Sequence, residues 1–169
     1  MSLFLPRLVI NDPRRPSVEA ALEKMPGTLW EKGLFKVPHV PFTPSLMKAL
    51  GDAYLSKHLE RGLEPIEKIL AAEAKGIGVM HERQGSEPTQ RISRVLLVLD
   101  GGSERFYRTC ESLLYRHQDR LLGLRFSTDT EVLSKKIFGE EKTLKALLVT
   151  DRDSSARVLL SLATDGLQD

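Results

Sequence analysis

The stretch RVLLVLDGGS, residues 94–103, decides the fold. Val95 to Leu99 is an unbroken aliphatic run that stops at Asp100, Gly101 and Gly102. A run of this length closed by turn residues reads as a strand buried on both faces. Ser103 to His117 follows as a helix with Phe106, Cys110, Leu113 and Leu114 along one face. Leu121 to Phe126 is strand-like, Thr130 to Phe138 is helical with Gly139 as its stop, and Ala146 to Thr150 is a third aliphatic strand. Ser154 to Leu162 closes the pattern with a helix. Strands alternating with helices over short links predict right-handed crossovers, hence an α/β protein: a three-layer α/β/α sandwich with a mainly parallel central sheet.

Upstream the chain is divided by punctuation. Pro26, Pro38, Pro41, Pro44 and Pro65 exclude long elements from much of the first half. Leu3 to Ile10 reads as a short strand that Pro6 confines to an edge, and Ser17 to Met25 as a helix capped by Ser17. Thr43-Pro44 is a helix start, with Leu46, Met47, Leu50, Tyr54 and Leu55 forming an apolar stripe to about Leu59. Glu64-Pro65 starts another, which Gly76 ends. Ile77 to His81 then reads as a strand and Glu82 to Gln90 as an exposed loop. Residues 1–43 are thus expected as an irregular N-terminal helical extension, and 44–169 as one α/β/α domain with its core over 91–163.

The composition supports one ordinary core: 169 residues, 41% hydrophobic, 28% charged. Lys plus Arg number 25 against 23 Asp plus Glu, a formal charge of +2, so any polyanion site must be local. The lone Cys110 excludes an internal disulfide and fits a reducing cytoplasm, which is the expected location. No segment has the length and apolarity of a membrane-spanning helix, and Met1 to Ile10 does not read as a leader.

In an open parallel sheet, ligands bind beyond the carboxyl ends of the strands. There stand Asp100, Asp129, and Asp151 with Asp153. Neighbouring strands would bring Asp100, Asp151 and Asp153 to one edge, where they could hold Mg²⁺ for phosphoryl transfer. Asp100, Asp129 and Asp153, with Ser103 and Ser154, are also favoured helix caps, and this is the stronger reading. A second pattern lies on the 103–117 helix, where Arg105, Arg108, Ser112, Arg116 and Arg120 recur at helical spacing, with Arg91 and Arg94 nearby. Guanidinium groups in a row suit phosphate contacts, although Glu104, Glu111 and Asp119 interrupt them as on a solvated face. His39, His58, His81 and His117 show no metal-ligand spacing, and Cys110 on an apolar face reads as a small hydrophobe.

From Glu60 to Ala163 the chain resembles the L7Ae/L30e-like family of RNA-binding proteins, related in fold to the C-terminal domain of peptide release factors and pelota. The resemblance lies in the strand ending at Asp100, in Leu133-Ser134-Lys135 leading to Gly139, and in Leu148-Val149-Thr150-Asp151. Gly62-Leu63-Glu64-Pro65 with Lys68 stands where that family carries Gly-x-Asn-Glu and a lysine for kink-turn RNA; Glu64 and Pro65 replace the Asn and Glu. A second resemblance, to Toprim domains, lies in Leu99-Asp100-Gly101 and Asp151-Arg152-Asp153, with Asp100 in place of the family's Glu; it implies a Mg²⁺-dependent phosphoryl-transfer domain.

The leading expectation is a non-enzymatic module for structured RNA, without cofactor, using Lys68, Arg91, Arg94, Arg105, Arg108 and Arg116. The alternatives are the Mg²⁺ enzyme with Asp100, Asp151 and Asp153, and a protein-interaction domain whose first half, around Trp30, Leu34, Phe35 and Phe42, docks on a partner or a second copy.

Overall fold

The computed structural model describes residues 4–24, 26–85, 90–140 and 142–164. In chain order the described residues form α1 (Arg7–Ile10), α2 (Arg15–Glu23), β1 (Pro26–Thr28), β2 (Lys36–Pro38), α3 (Pro44–Leu55), β3 (Leu59–Arg61), α4 (Leu63–Gln84), β4 (Arg94–Val98), α5 (Glu104–Arg116), β5 (Leu121–Arg125), α6 (Thr130–Phe138), β6 (Ala146–Val149) and α7 (Arg152–Thr164). β1 and β2 make a small antiparallel hairpin, and the main sheet has the order β3-β6-β4-β5.

Val95 to Leu99 is completely buried. Side chains alternate across a strand, so Val95, Leu97 and Leu99 enter one core while Leu96 and Val98 enter the other. The first core takes in Val9, Leu22, Leu46, Leu133 and Leu159, from α1, α2, α3, α6 and α7. The second takes in Ile66, Leu70, Cys110 and Leu114, from α4 and α5. Helices therefore cover both faces of a mixed α/β core.

The sheet is mixed, which corrects the expectation of mainly parallel strands. β5 runs parallel to β4, but β6 runs antiparallel to it, pairing Val149 with Val95 and Ala146 with Val98, and β3 runs antiparallel to β6. α6 and the link behind it return the chain to the end of the sheet it has just left, where the Leu99 amide donates to the Lys145 carbonyl (2.9 Å). β6 therefore enters from that end.

Residues 4–43 are not an irregular extension. Leu5, Val9, Val18, Leu22 and Val40 lie in the same core as β4, and the Val40 amide donates to the Arg125 carbonyl (2.8 Å) beside β5. Prolines exclude long elements there without excluding short ones. Pro6 precedes α1 instead of lying in an edge strand, its carbonyl accepting from the Val9 and Ile10 amides; Leu3, the first residue of that expected strand, lies outside the described residues. α2 starts at Arg15, two residues ahead of Ser17, and Met25 also lies outside the described residues. α4 runs through Gly76 and Gly78 to Gln84, so no strand forms at Ile77 to His81. A glycine inside a helix costs only about 1 kcal/mol, which twenty-two residues of helix outweigh. Gly85, with φ +64°, follows the last turn; residues 86–89 of the expected loop are outside the described residues.

Where the caps were readable the boundaries agree. Thr43 Oγ1 accepts from the Leu46 amide (3.2 Å), Ser103 Oγ from Phe106 (3.1 Å), and Asp129 from Glu131 and Val132 (3.0 and 3.2 Å). Gly139 ends α6 in the left-handed region.

At the end of the sheet where β4 and β5 begin, Glu73 of α4 joins two arginines. Arg94 donates to it (3.0 Å) and Arg120 donates to it (2.8 Å) and to the Leu70 carbonyl (2.9 Å). Burial raises the Glu73 carboxyl, but hydrogen bonds and charge from Arg94 and Arg120 outweigh this and hold it below its ordinary value. A carboxyl lowered by folding contributes stability that is complete above its unfolded value and is lost as pH falls through the lowered one.

Two outcomes follow for stability. Glu73→Gln is expected to cost about 2 kcal/mol at neutral pH, less than for a fully buried pair because its side chain is 25% exposed, and to flatten the loss of stability on acidification; urea midpoints from pH 7 to pH 3 measure both. In β5, a Cβ on Gly123 would meet both Leu114 methyl groups at 2.8 Å. Gly123→Ala should cost about 1–3 kcal/mol by overpacking, and Leu114→Ala in the same chain should recover part of it.

Candidate functional site

The direction of β6 decides the fate of the strand-end aspartates. Asp100 lies beyond one end of β4, whereas Asp151 follows Val149, which pairs with Val95 near the other end. At about 3.3 Å per residue the two carboxylates stand roughly 20 Å apart along the sheet. Asp100, Asp151 and Asp153 therefore do not converge, and the shared Mg²⁺ site expected of them has no geometric basis. Among the described residues no group of three or more His, Cys, Asp or Glu is placed to hold a metal ion.

Each aspartate has local work. Asp100 accepts from Arg125 (3.0 Å), and hydrogen bonding from Ser127, then Arg125, holds its carboxyl below the ordinary value. It caps nothing. Asp151 accepts from the Ser154 amide (3.0 Å) and so caps α7, a role that had been expected of Asp153 and Ser154; Asp153 lies exposed in the first turn. The Gly101-Gly102 turn is held by Tyr107, whose hydroxyl donates to the Leu99 carbonyl (2.8 Å) and accepts from the Gly102 amide (3.2 Å). Gly101 has φ +91°, and a side chain on Gly102 would collide with the Phe106 ring. The turn is built to pack.

The arginines divide into two groups. Arg105, Arg108 and Arg116 lie on the exposed face of α5, and none has an ion-pair partner among the described residues. Glu111, one of the three acids expected to interrupt them, turns instead to the N-terminal loop and accepts from the Leu34 and Phe35 amides (3.0 and 3.2 Å), while Glu104 and Asp119 are exposed. Arg108 sits over the Trp30 ring, 5.2 Å from its centroid. Lys68 is exposed on α4 and pairs with Glu64 (3.5 Å), an i,i+4 contact too solvated to immobilise it. A hollow of about 540 Å³ at the start of α5, lined by Phe106, Arg61, Lys142 and Lys145, adds basic groups that spacing could not reveal.

The second group is held inside. Arg120 lies past the end of α5, buried on Glu73, and so does not continue the row. Arg94 is bound to Glu73, and Arg91 donates to the Leu5 carbonyl (2.7 Å). These two were expected to contact phosphate along with the helix row; they lie instead at the end of the sheet where β4 starts, beside Arg7 and Arg152. Sequence reasoning missed Glu73, Arg7 and Arg152, because only the packing of α1, α4 and α7 at this end of the sheet brings them beside Arg91, Arg94 and Arg120.

The remaining candidates are structural. Burial pushes the Cys110 thiol up to about 12, so it carries no thiolate at neutral pH. Burial and then Arg120 and Arg116 push His117 down, keeping its ring neutral. Of the four residues expected to dock a partner, Phe42 stacks on Phe126 (5.2 Å) in the core, and Trp30 and Phe35 pack against the second core. Leu34 alone is open, 91% exposed. No described helix is long and apolar enough to cross a membrane.

No family model matches the chain, and no curated protein matches it. Among solved structures it is similar to a protein of unknown function from Bacillus halodurans, with 13% identity, 70% of this chain and 98% of that chain covered, and a TM-score of 0.47.

Proposed function

We propose that the chain is a non-enzymatic module that binds structured RNA, built as a three-layer α/β/α core of L30e-like type. The observation that carries this reading is the row Arg105, Arg108 and Arg116, exposed on one helix face with no ion pair among the described residues. Three guanidinium groups without carboxylate partners need no ion pair broken before they meet phosphates, and their planar forks suit phosphate oxygens. Lys68 stands exposed on α4, in the same helical layer, and Lys145, in the hollow at the first turn of α5, adds a further cation beside Arg61 and Lys142, which pair with Glu140 (3.3 and 3.2 Å). Arg91 and Arg94 are not part of this surface; their work is inside the fold. The Gly62-Leu63-Glu64-Pro65 stretch does open a helix, with Gly62 at φ +92°, but Glu64 and Pro65 replace the amide side chain with which the kink-turn family reads a base edge. The reading therefore rests on phosphate contacts and the shape of the RNA.

The test is binding to a panel of structured RNAs, a kink-turn among them, at low and near-physiological salt. Selective binding is expected to survive at the higher salt. Replacing Arg105, Arg108 and Arg116 by Gln should weaken it and reduce the slope of log K against log salt by about 2–3. Binding that vanishes equally for every RNA at near-physiological salt, or that ignores the three substitutions, would overturn the proposal.

A further inference from the structure

Behind the Glu73 cluster, at the end of the sheet where β4 and β5 begin, lies a cavity of about 440 Å³. Four of its lining residues are Arg7, Arg91, Arg120 and Arg152, and its apolar wall is made by Ile77, Met80 and Ile92. No acidic residue lines it among the described residues. Arg120 is balanced by Glu73. Arg7, Arg91 and Arg152 have no carboxylate partner among the described residues.

We infer that this cavity binds a phosphomonoester whose ester substituent is apolar. Three uncompensated guanidinium groups call for more than one negative charge. A monoester carries about −1.5 to −2 at neutral pH, whereas a carboxylate or a backbone phosphodiester carries only one charge. The volume falls in the range of roughly 300–1,000 Å³ that small-molecule sites occupy. Bare phosphate would leave the Ile77, Met80 and Ile92 wall in contact with water, and an apolar substituent covers it.

Part of the site is preorganised. Arg120 is fixed by Glu73 and the Leu70 carbonyl, and Arg91 by the Leu5 carbonyl. The Ser93 hydroxyl, also at the cavity, has no hydrogen-bond partner among the described residues and can donate. Arg7 and Arg152 are exposed and free to swing onto the ligand. Asp151 and Asp153 line the neighbouring hollow with Arg94 and Arg152, and neither lines this cavity. This site is separate from the α5 surface.

The probes are phenyl phosphate, inorganic phosphate and phenol, titrated calorimetrically into the full chain at near-physiological salt, together with phosphatidylcholine vesicles with and without phosphatidic acid. Saturable binding of phenyl phosphate is expected, about ten-fold or more tighter than that of inorganic phosphate, with none for phenol. The double variant R7Q/R152Q should weaken it by about ten-fold or more without moving the unfolding midpoint, since both side chains are exposed and neither has a hydrogen bond or ion pair among the described residues. The R105Q/R108Q/R116Q variant should bind phenyl phosphate like the wild type, which separates this site from the RNA reading. Binding confined to phosphatidic acid vesicles, with the same dependence on Arg7 and Arg152, would place the monoester on a lipid and support the site. Absence of saturable binding to phenyl phosphate and to the vesicles, equal affinity for phenyl and inorganic phosphate, or indifference to R7Q/R152Q would each overturn the proposal.

Discussion

Everything in this chain is arranged around the complete burial of Val95 to Leu99. A strand with no water at either face or edge must pair its amides and carbonyls on both sides, since each orphaned buried group costs about 1–3 kcal/mol. β5 takes one edge and β6 the other. The two faces then need cover: α4 and α5 supply it on one side, α3, α6 and α7 with α1 and α2 on the other. The N-terminal segments are thus part of the core, because the face that receives Val95, Leu97 and Leu99 is closed partly by Leu5, Val9, Val18 and Leu22.

Much of this was legible. The aliphatic strands, the caps at Thr43, Ser103 and Asp129, and the stop at Gly139 are local signals, and local chemistry decided them. The direction of β6 was not. ALLV has the same burial pattern whichever way it runs, because both faces are buried, and alternation carries no polarity. The glycines argue locally for an end to α4, whereas the contacts that hold this helix to the sheet, such as those from Glu73 to Arg94 and Arg120, link residues 21 and 47 positions apart.

The functional surface was half legible for the same reason. Helical spacing placed Arg105, Arg108 and Arg116 on one face, as the structure has them. The same spacing carried Arg120 into the row and left Glu111 among its counter-charges. The helix stops at Arg116, and Glu111 is drawn away by two loop amides that no periodicity registers. Gly33 makes that clasp possible: a side chain there would meet the Glu111 carboxylate and the Trp30 ring.

The treatment of the sheet margins has a colloidal consequence. An open strand edge invites another chain to add itself. Here β3 offers only three residues, and β5 is shielded by the strap at His39 and Val40, which makes one bridge and one amide bond to Arg125 before the chain turns into α3. The prolines at 38, 41 and 44 that bracket this strap have no amide hydrogen to donate, so they limit its growth into a full strand. The same residues that break the first half of the sequence into short pieces therefore terminate the sheet, and they guard the folded chain against stacking into fibres.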